Sequence, residues 1–186
     1  MGDFLKARAQ TPLHGFYLVA GASCDLATNS EPVQNAARQS FLSIPSTRPA
    51  PALALRFWVN PDGRARPPWP KPYFRGLDHL VFAGLDSENS LLMDLRKRRA
   101  IGRFSPAMAS DHIYWSTVIF PVLLSVMGPT LGVTGLHCAC VVRNDGGGLL
   151  LWGRAGSGKS TLTLALARHG FSFLSDDWTY LSQRNG

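Results

Sequence analysis

Hydrophobic and polar positions in the first third of the chain follow the patterns of short strands and one helix. The runs HGFYLVAG (14–21) and ALALRFWV (52–59) have the aromatic and β-branched content of strands. Between them, PVQNAARQSFL (32–42) predicts a short helix with proline in its first turn. An Asn-Pro-Asp-Gly turn is predicted at 60–63. These patterns predict a mixed α+β region.

Further strands are predicted after a proline-rich segment. The sequence RPPWPKPYFRG (66–76) predicts an internal loop or edge connection, with a polyproline ligand for a partner as the alternative. The runs HLVFAGL (79–85) and SLLMDLRKRRAIGRF (90–104) predict two strands joined by the polar turn DSENS. Alternation along the second run predicts that Arg96 and Arg98 lie on an exposed face.

The apolar pattern becomes helical from Pro106 to Met127, and Ser110 or Asp111 could cap the helix. The stretch from Ile113 to Val142 contains no Asp, Glu, Lys or Arg and is long enough to span a bilayer, for which about 20 apolar residues suffice. Two observations count against a membrane span. A Gly-Pro pair interrupts the stretch. The basic cluster RKRR (96–99) upstream would stay in the cytoplasm, which would place the later part of the chain on the other side of the membrane. We therefore expect a core helix rather than a membrane span.

Composition limits the classes of protein. The 186 residues are 45% hydrophobic, enough for a core, and the net charge of +7 suits phosphate or carboxylate partners or simply a basic surface. The sequence contains no helix-turn-helix, zinc-finger or RNA-binding signature, so we expect no nucleic-acid partner. Three cysteines without paired spacing favour a cytoplasmic location, and the pair Cys138 and Cys140 favours packing over metal binding.

The order of elements changes after residue 127. GLHCACVV (135–142) and LLLWG (149–153) predict strands, and FSFLS (171–175) predicts another. KSTLTLALARHG (159–170) predicts a helix with Leu162, Ala165 and Leu166 facing the sheet. This order is typical of α/β nucleotide-binding proteins. We therefore divide the chain into a mixed α+β region (1–127) and an α/β domain (128–186).

The segment from Gly153 to Ser160 matches G-x-x-x-x-G-K-S, a phosphate-binding loop. Its glycines let backbone N–H groups turn inward around a β-phosphate, and the following helix adds its positive end. Lys159 would contact the β- and γ-phosphates, and the Ser160 hydroxyl would bind Mg²⁺. The alternative is a glycine-rich turn with no ligand. The predicted nucleotide-binding residues are Gly153, Arg154, Ala155, Gly156, Ser157, Gly158, Lys159, Ser160 and Thr161.

Asp176 and Asp177 follow the last predicted strand. Adjacent carboxylates at a strand end serve as a helix cap or turn, or as a pair in which one carboxylate holds Mg²⁺ and the other accepts a hydroxyl proton. We expect this strand to lie beside the strand that leads into the phosphate loop, which would bring both carboxylates near the γ-phosphate. His137, alone in an apolar run, is a core residue or a functional one.

Together these motifs resemble the catalytic domain of HPr kinase/phosphorylase and related ATP-binding proteins. The resemblance rests on GLHCACVV, GRAGSGKST and FSFLSDD, with seventeen positions from Lys159 to Asp176. It implies a fold like that of phosphoenolpyruvate carboxykinase. It further implies that Lys159, Asp177 and His137 are catalytic and that Ser160 and Asp176 serve the metal. A phosphorylase activity and a multimeric state are also compatible with it.

The sequence departs from the family in two ways. Ala155 replaces a serine that is common in the loop, and the strands, acidic residue and substrate-gripping loop that follow the double Asp in the family are not found. We therefore expect a C-terminally truncated kinase core. The predicted function is Mg-ATP-dependent phosphoryl transfer to a serine-type hydroxyl of a protein or small molecule. A non-catalytic nucleotide-binding module is the alternative, and a transport ATPase would need an LSGGQ-like signature, which is not visible.

Overall fold

The computed structural model describes residues 10–46 and 50–182. It is a mixed α/β protein with one large mixed sheet and few helices, and it divides into two compact units between Leu131 and Gly132. We call them the N-terminal unit and the C-terminal unit and describe each by itself.

The N-terminal unit contains a single eight-stranded sheet. Its strands are β1 (Leu13–Val19), β2 (Ala22–Thr28), β3 (Leu42–Ser43), β4 (Leu53–Val59), β5 (Tyr73–Leu77), β6 (Leu80–Gly84), β7 (Ser90–Asp94) and β8 (Arg99–Phe104). Their spatial order is β3-β1-β2-β4-β8-β7-β6-β5. The β2–β4 and β4–β8 pairs are parallel and the others are antiparallel.

Alternation along the strands decides which face of this sheet is buried. In β4, Leu53, Leu55 and Phe57 are fully buried, whereas Arg56 and Trp58 lie on the other, partly exposed face. The predicted strand at 52–59 is therefore confirmed. The predicted helix is also confirmed, as α1 (Glu31–Ser40), which is capped by Ser30 and has proline in its first turn.

The helical segment after the sheet is broken at Ser110 and Asp111 and changes helix type in its second part. It consists of α2 (Pro106–Ala109), α3 (His112–Tyr114), a π-helical turn (Trp115–Ile119), α4 (Phe120–Met127) and a 3₁₀ turn (Gly128–Leu131). Asp111 caps α3, because its Oδ1 accepts a hydrogen bond from the Tyr114 amide at 3.0 Å. The π-helical turn precedes Pro121 and accommodates the missing amide donor of that proline.

Among the described residues, one helical run, His112–Leu131, is long and apolar enough to cross a membrane by length and composition alone. Within the N-terminal unit, Trp115, Ile119 and Met127 from this run are fully buried. The Trp115 ring lies 5.5 Å from the Phe57 ring and 4.8 Å from the Phe104 ring, so this run completes the core over the sheet.

The predicted single strand at 90–104 is wrong, because it is two strands, β7 and β8. A turn at residues 95–98 separates them, in which Asp94 Oδ1 accepts a hydrogen bond from the Lys97 amide and Arg98 has a φ of 49°. No glycine or proline marks this turn, so the alternating pattern hides it. As a result, Arg96 and Arg98 belong to the exposed turn, and Arg99 and Arg103 form the exposed side of β8.

The proline-rich segment is an internal connection that ends in edge strand β5. The Trp69 indole N–H donates a hydrogen bond to Asp111 Oδ2 at 2.8 Å, and its ring lies 6.0 Å from the Tyr114 ring. These contacts tie the segment to the start of α3, which favours the internal role over the polyproline ligand.

The C-terminal unit is smaller. Its elements are β9 (Val133–Leu136), β10 (Ala139–Val142), β11 (Gly148–Leu151), α5 (Lys159–Arg168), β12 (Ser172–Ser175) and β13 (Thr179–Ser182). β10 lies between β11 and β12 and is antiparallel to both, while β9 pairs with β13 in a separate two-stranded sheet. The predicted strand GLHCACVV is therefore two strands in two sheets, since the chain bends at His137 and Cys138.

Candidate functional site

The loop between β11 and α5 depends on glycine at two positions. Gly156 and Gly158 have φ values of 77° and 85°, in the left-handed region that favours glycine. A Cβ atom at position 153 would lie 2.6 Å from the Ser157 hydroxyl oxygen, so a larger residue there would require the Ser157 side chain to move. The Ser157 amide donates a hydrogen bond to the Arg154 carbonyl and closes the turn. The predicted strand, loop and helix are present at this point of the chain.

The start of α5 offers free amide groups to a ligand. Its cap, Gly158, provides no side-chain hydrogen bond, and the first amides of a helix have no partner within the helix. The preceding loop is exposed from Arg154 to Gly158. The partial positive charge at this helix end adds to the attraction for an anion, so the loop is suited to a phosphate group.

Lys159 folds back over this loop. Its ammonium group donates hydrogen bonds to the Gly153 carbonyl at 3.0 Å and to the Arg154 carbonyl at 3.2 Å. The side chain is half-buried and therefore held close to the loop that would carry the phosphates. An incoming phosphate oxygen could replace one of these carbonyls without a large movement of the chain.

Sheet topology brings Asp176 to the same edge as the loop. β11 and β12 are both antiparallel to β10, so they run in the same direction and their C-terminal ends share one edge of the sheet. The expectation that β12 lies beside β11 is wrong, because β10 lies between them. The expected nearness of the two strand ends still follows, since one intervening strand separates them by about 10 Å.

Ser160 and Asp176 line one pocket of about 310 Å³, next to Thr163 and Phe173. Asp176 Oδ1 is buried and has no hydrogen-bond partner among the described residues. A buried carboxylate oxygen without a partner is costly unless a cation or donor satisfies it. A hydroxyl and a carboxylate fit Mg²⁺, which commonly takes few protein ligands and completes its shell with phosphate oxygens and water.

No group of three or more His, Cys, Asp or Glu side chains within residues 10–46 and 50–182 is arranged to hold a metal ion. Ser160 and Asp176 would supply only part of a ligand set for Mg²⁺, and further oxygens would have to come from a phosphate or water.

Asp177 and His137 lie in neighbouring segments of the C-terminal unit. Both side chains are exposed. The sequence predicted His137 within a strand, whereas it lies at the bend between β9 and β10. The His137 ring is 5.6 Å from the ring of Trp178, which follows Asp177. The Thr179 hydroxyl donates a hydrogen bond to the Cys138 carbonyl at 3.1 Å and so joins the two segments.

Sequence reasoning missed two tryptophans at this site. Trp152 precedes Gly153 and is 85% exposed, and Trp178 packs against His137 and stacks on Tyr180. Their only signal was position, since each follows an apolar strand run and adjoins a predicted functional residue. Cys138 and Cys140 are buried free thiols. Burial raises the pKa of Cys140, which makes the reactive thiolate less populated and agrees with a packing role.

No protein-family model matches the chain, and a search of curated proteins finds no significant match. The class that the fold and site define is a mixed α/β protein in which a glycine-rich strand–loop–helix segment adjoins a pair of acidic residues.

Proposed function

We propose that the protein binds Mg-ATP at residues 153–161 and acts as an HPr-kinase-like phosphotransferase on a serine-type hydroxyl of a protein or small molecule. The observation that carries the proposal is the pocket shared by Ser160 and Asp176, because it joins the start of α5 to a buried carboxylate oxygen without a partner. This combination suits a metal-bound phosphate.

In this proposal the loop amides and the start of α5 hold the phosphates, and Lys159 exchanges its bonds to the loop carbonyls for bonds to phosphate oxygens. Ser160 and Asp176 hold Mg²⁺, which supplies charge neutralisation on the β- and γ-phosphate oxygens when it is bound. Asp177, which is exposed and follows Asp176 in the chain, is assigned to the acceptor.

The transfer step assigned to Asp177 is proton acceptance. The hydroxyl oxygen of the acceptor bonds to the γ-phosphorus as its proton passes to the Asp177 carboxylate. The bond between the γ-phosphorus and the bridging oxygen breaks, and ADP leaves with that electron pair. Lys159 stabilises the charge that gathers on the departing phosphates.

Binding and turnover of Mg-ATP by the full chain test this proposal. We expect Lys159→Ala to weaken Mg-ATP binding in calorimetry by at least about tenfold, because it removes a charge-assisted contact. Lys71→Ala, an exposed lysine of the N-terminal unit, is the matched control and should leave binding unchanged. Equal binding by both variants would contradict the proposed site.

The role of Asp177 has its own measurement. With labelled ATP and water as the acceptor, ADP release should be abolished by Asp177→Asn while Mg-ATP binding is retained, since the amide cannot accept the proton. Full ADP release by this variant would show that Asp177 is not the proton acceptor.

A non-catalytic nucleotide-binding module is the second candidate. It is favoured by the His137 ring, which packs on Trp178, and by the lack of a hydrogen bond between His137 and Asp177 in the described ranges. This candidate predicts that the wild-type chain binds Mg-ATP with no ADP release, whereas the kinase proposal predicts both.

A further inference from the structure

Two pockets flank the beginning of α5. One is the pocket of Ser160 and Asp176 described above. The other, of about 230 Å³, we call the tryptophan pocket, and its wall combines apolar side chains with the phosphate loop itself. The residues of this pocket used below are Leu150, Trp152, Ser157, Gly158, Lys159 and Leu162.

Helix geometry separates these pockets. Gly158 and Leu162 are four positions apart and therefore lie on one side of α5, in the wall of the tryptophan pocket. Ser160, Thr163 and Ala167, which are three and then four positions apart, lie on another side and line the other pocket. A ligand lying across Lys159 would reach both pockets from the same loop.

Trp152 is the most unusual element of the tryptophan pocket. Its side chain is 85% exposed although the indole is large and mostly apolar, and it directly precedes the first glycine of the loop. Leu150 and Leu162, in the same pocket, are 39% and 48% exposed. An exposed aromatic group flanked by leucines is suited to a flat partner that stacks on it.

The residues that line the pocket indicate which kind of ligand it could bind. Its apolar part favours a planar ring, and its loop part, with Gly158 and Lys159, favours an anionic group. A nucleotide carries both in one molecule. We propose that the tryptophan pocket holds the nucleobase, with Trp152 stacked on the ring, and that the phosphates run across Lys159 to Ser160 and Asp176. This inference rests on the proposed function and assigns the orientation of the nucleotide within it.

The pocket also predicts weak discrimination between bases. Among its residues, the Ser157 hydroxyl and the Trp152 indole N–H are the uncharged polar side-chain groups, so few groups are placed to read the edge of a base. Stacking accepts any base because every base has a π-face. ATP and GTP should therefore bind with affinities within about threefold of each other.

The test compares ATP, GTP and tripolyphosphate, each with Mg²⁺, by calorimetry on the full chain. We expect Trp152→Ala to lower the affinity for ATP and GTP about tenfold and to leave the affinity for tripolyphosphate unchanged, because only the nucleotides carry a base. Trp152→Phe should restore most of the affinity. Leu174→Ala, at an exposed apolar side chain of the same unit outside both pockets, is the matched control and should change none of the three affinities.

Three results would overturn the inference. An equal loss for tripolyphosphate and ATP would assign Trp152 to the phosphates, and an unchanged ATP affinity would remove it from the site. A change in sedimentation with unchanged ATP affinity would assign it to a protein contact. If wild-type chain binds neither ATP nor tripolyphosphate, the proposed function fails as well, whereas binding that depends on Lys159 but not on Trp152 leaves the proposed function standing.

Discussion

The two units of this protein differ in how they use their large apolar side chains. In the N-terminal unit, aromatic residues such as Trp115, Phe57 and Phe104 are fully buried and contact one another. In the C-terminal unit the fully buried residues are small, such as Ala139 and Val141. Its large apolar residues include an exposed group: Leu149, Leu150, Trp152, Leu162, Leu164, Phe173 and Leu174.

Neighbouring residues show that this exposure affects both faces of the smaller sheet. Leu149 and Leu150 are consecutive in β11 and therefore point to opposite faces, yet they are 41% and 39% exposed. Most of the stabilisation from apolar burial is therefore in the N-terminal unit, while the glycine-rich loop before α5 lies in the unit with the smaller core. Binding segments commonly lie in regions of lower local stability.

The largest expected difference in stability is between alanine substitutions of two tryptophans, one in each unit. Trp115→Ala should lower the free energy of unfolding by about 3–5 kcal/mol, because it empties a site among three aromatic rings and removes the hydrogen bond from its indole N–H to the Met108 carbonyl. Trp152→Ala should change it by less than about 0.5 kcal/mol. Urea denaturation followed by circular dichroism measures both, and similar losses would contradict the comparison.

Substitutions at buried polar groups should show a smaller difference between the two units, again with the larger loss of stability in the N-terminal unit. Asn89 is fully buried, and its Oδ1 accepts a hydrogen bond at 2.7 Å from the amide of buried Ser105. Asn89→Ala leaves that amide without a partner and should lower the free energy of unfolding by about 1–3 kcal/mol. Thr179→Val, which removes the hydroxyl bonded to Cys138, should lower it by about 1 kcal/mol. A larger loss for Thr179→Val would reverse the comparison.

Alkaline pH should weaken the N-terminal unit through a buried thiol. Burial raises the pKa of Cys24 from 9.0 to about 12. The unfolded chain loses this proton near pH 9 while the folded chain keeps it, so this contribution to stability is complete below pH 9 and is lost as the pH rises toward 12. The slope is about 1.4 kcal/mol per pH unit.

Denaturation at several pH values from 8 to 11 measures this slope, and Cys24→Ala should make it shallower. Cys140→Ala, at a less deeply buried thiol of the C-terminal unit, should alter it less. The same slope in wild type and Cys24→Ala would exclude the thiol as its source.

The smallest difference concerns two ion pairs. Arg56 Nη2 lies 2.5 Å from Asp25 Oδ2, and the Asp25 side chain is 13% exposed. Arg56→Ala leaves this carboxylate without its cation and should lower the free energy of unfolding by about 1 kcal/mol. The Arg143–Asp145 pair is exposed on both sides, so Arg143→Ala should have no measurable effect in the same denaturation experiment. An equal effect of the two variants would show that burial does not distinguish these pairs.

Features governed by nearby residues could be predicted from the sequence. The aromatic and β-branched content of ALALRFWV identified β4 as a strand, and the proline-containing run PVQNAARQSFL identified α1. The glycine spacing identified the loop before α5, because positive φ values at Gly156 and Gly158 favour glycine. Each of these signals acts within a few residues.

Predictions that needed distant contacts were less successful. Leu162 was expected to face the sheet, yet Thr163 is the buried residue of α5, with its hydroxyl donating to the Lys159 carbonyl. The helical pattern of α5 is apolar on several sides, so the sequence could not indicate which side the sheet covers. The bend at His137 was missed for a similar reason, since the same apolar pattern occurs whether the run forms one strand or two strands in different sheets.

By itself, then, the sequence determined the strand β4, the helix α1 with proline in its first turn and the glycine-rich loop between β11 and α5, since these follow from backbone sterics and short-range spacing. The tertiary structure alone decided that β10 separates β11 from β12, that Ser160 and Asp176 line one pocket, and that Trp152 is exposed beside the loop. Strand order and burial depend on pairings between residues far apart in the chain, whose free energies act collectively over a whole unit.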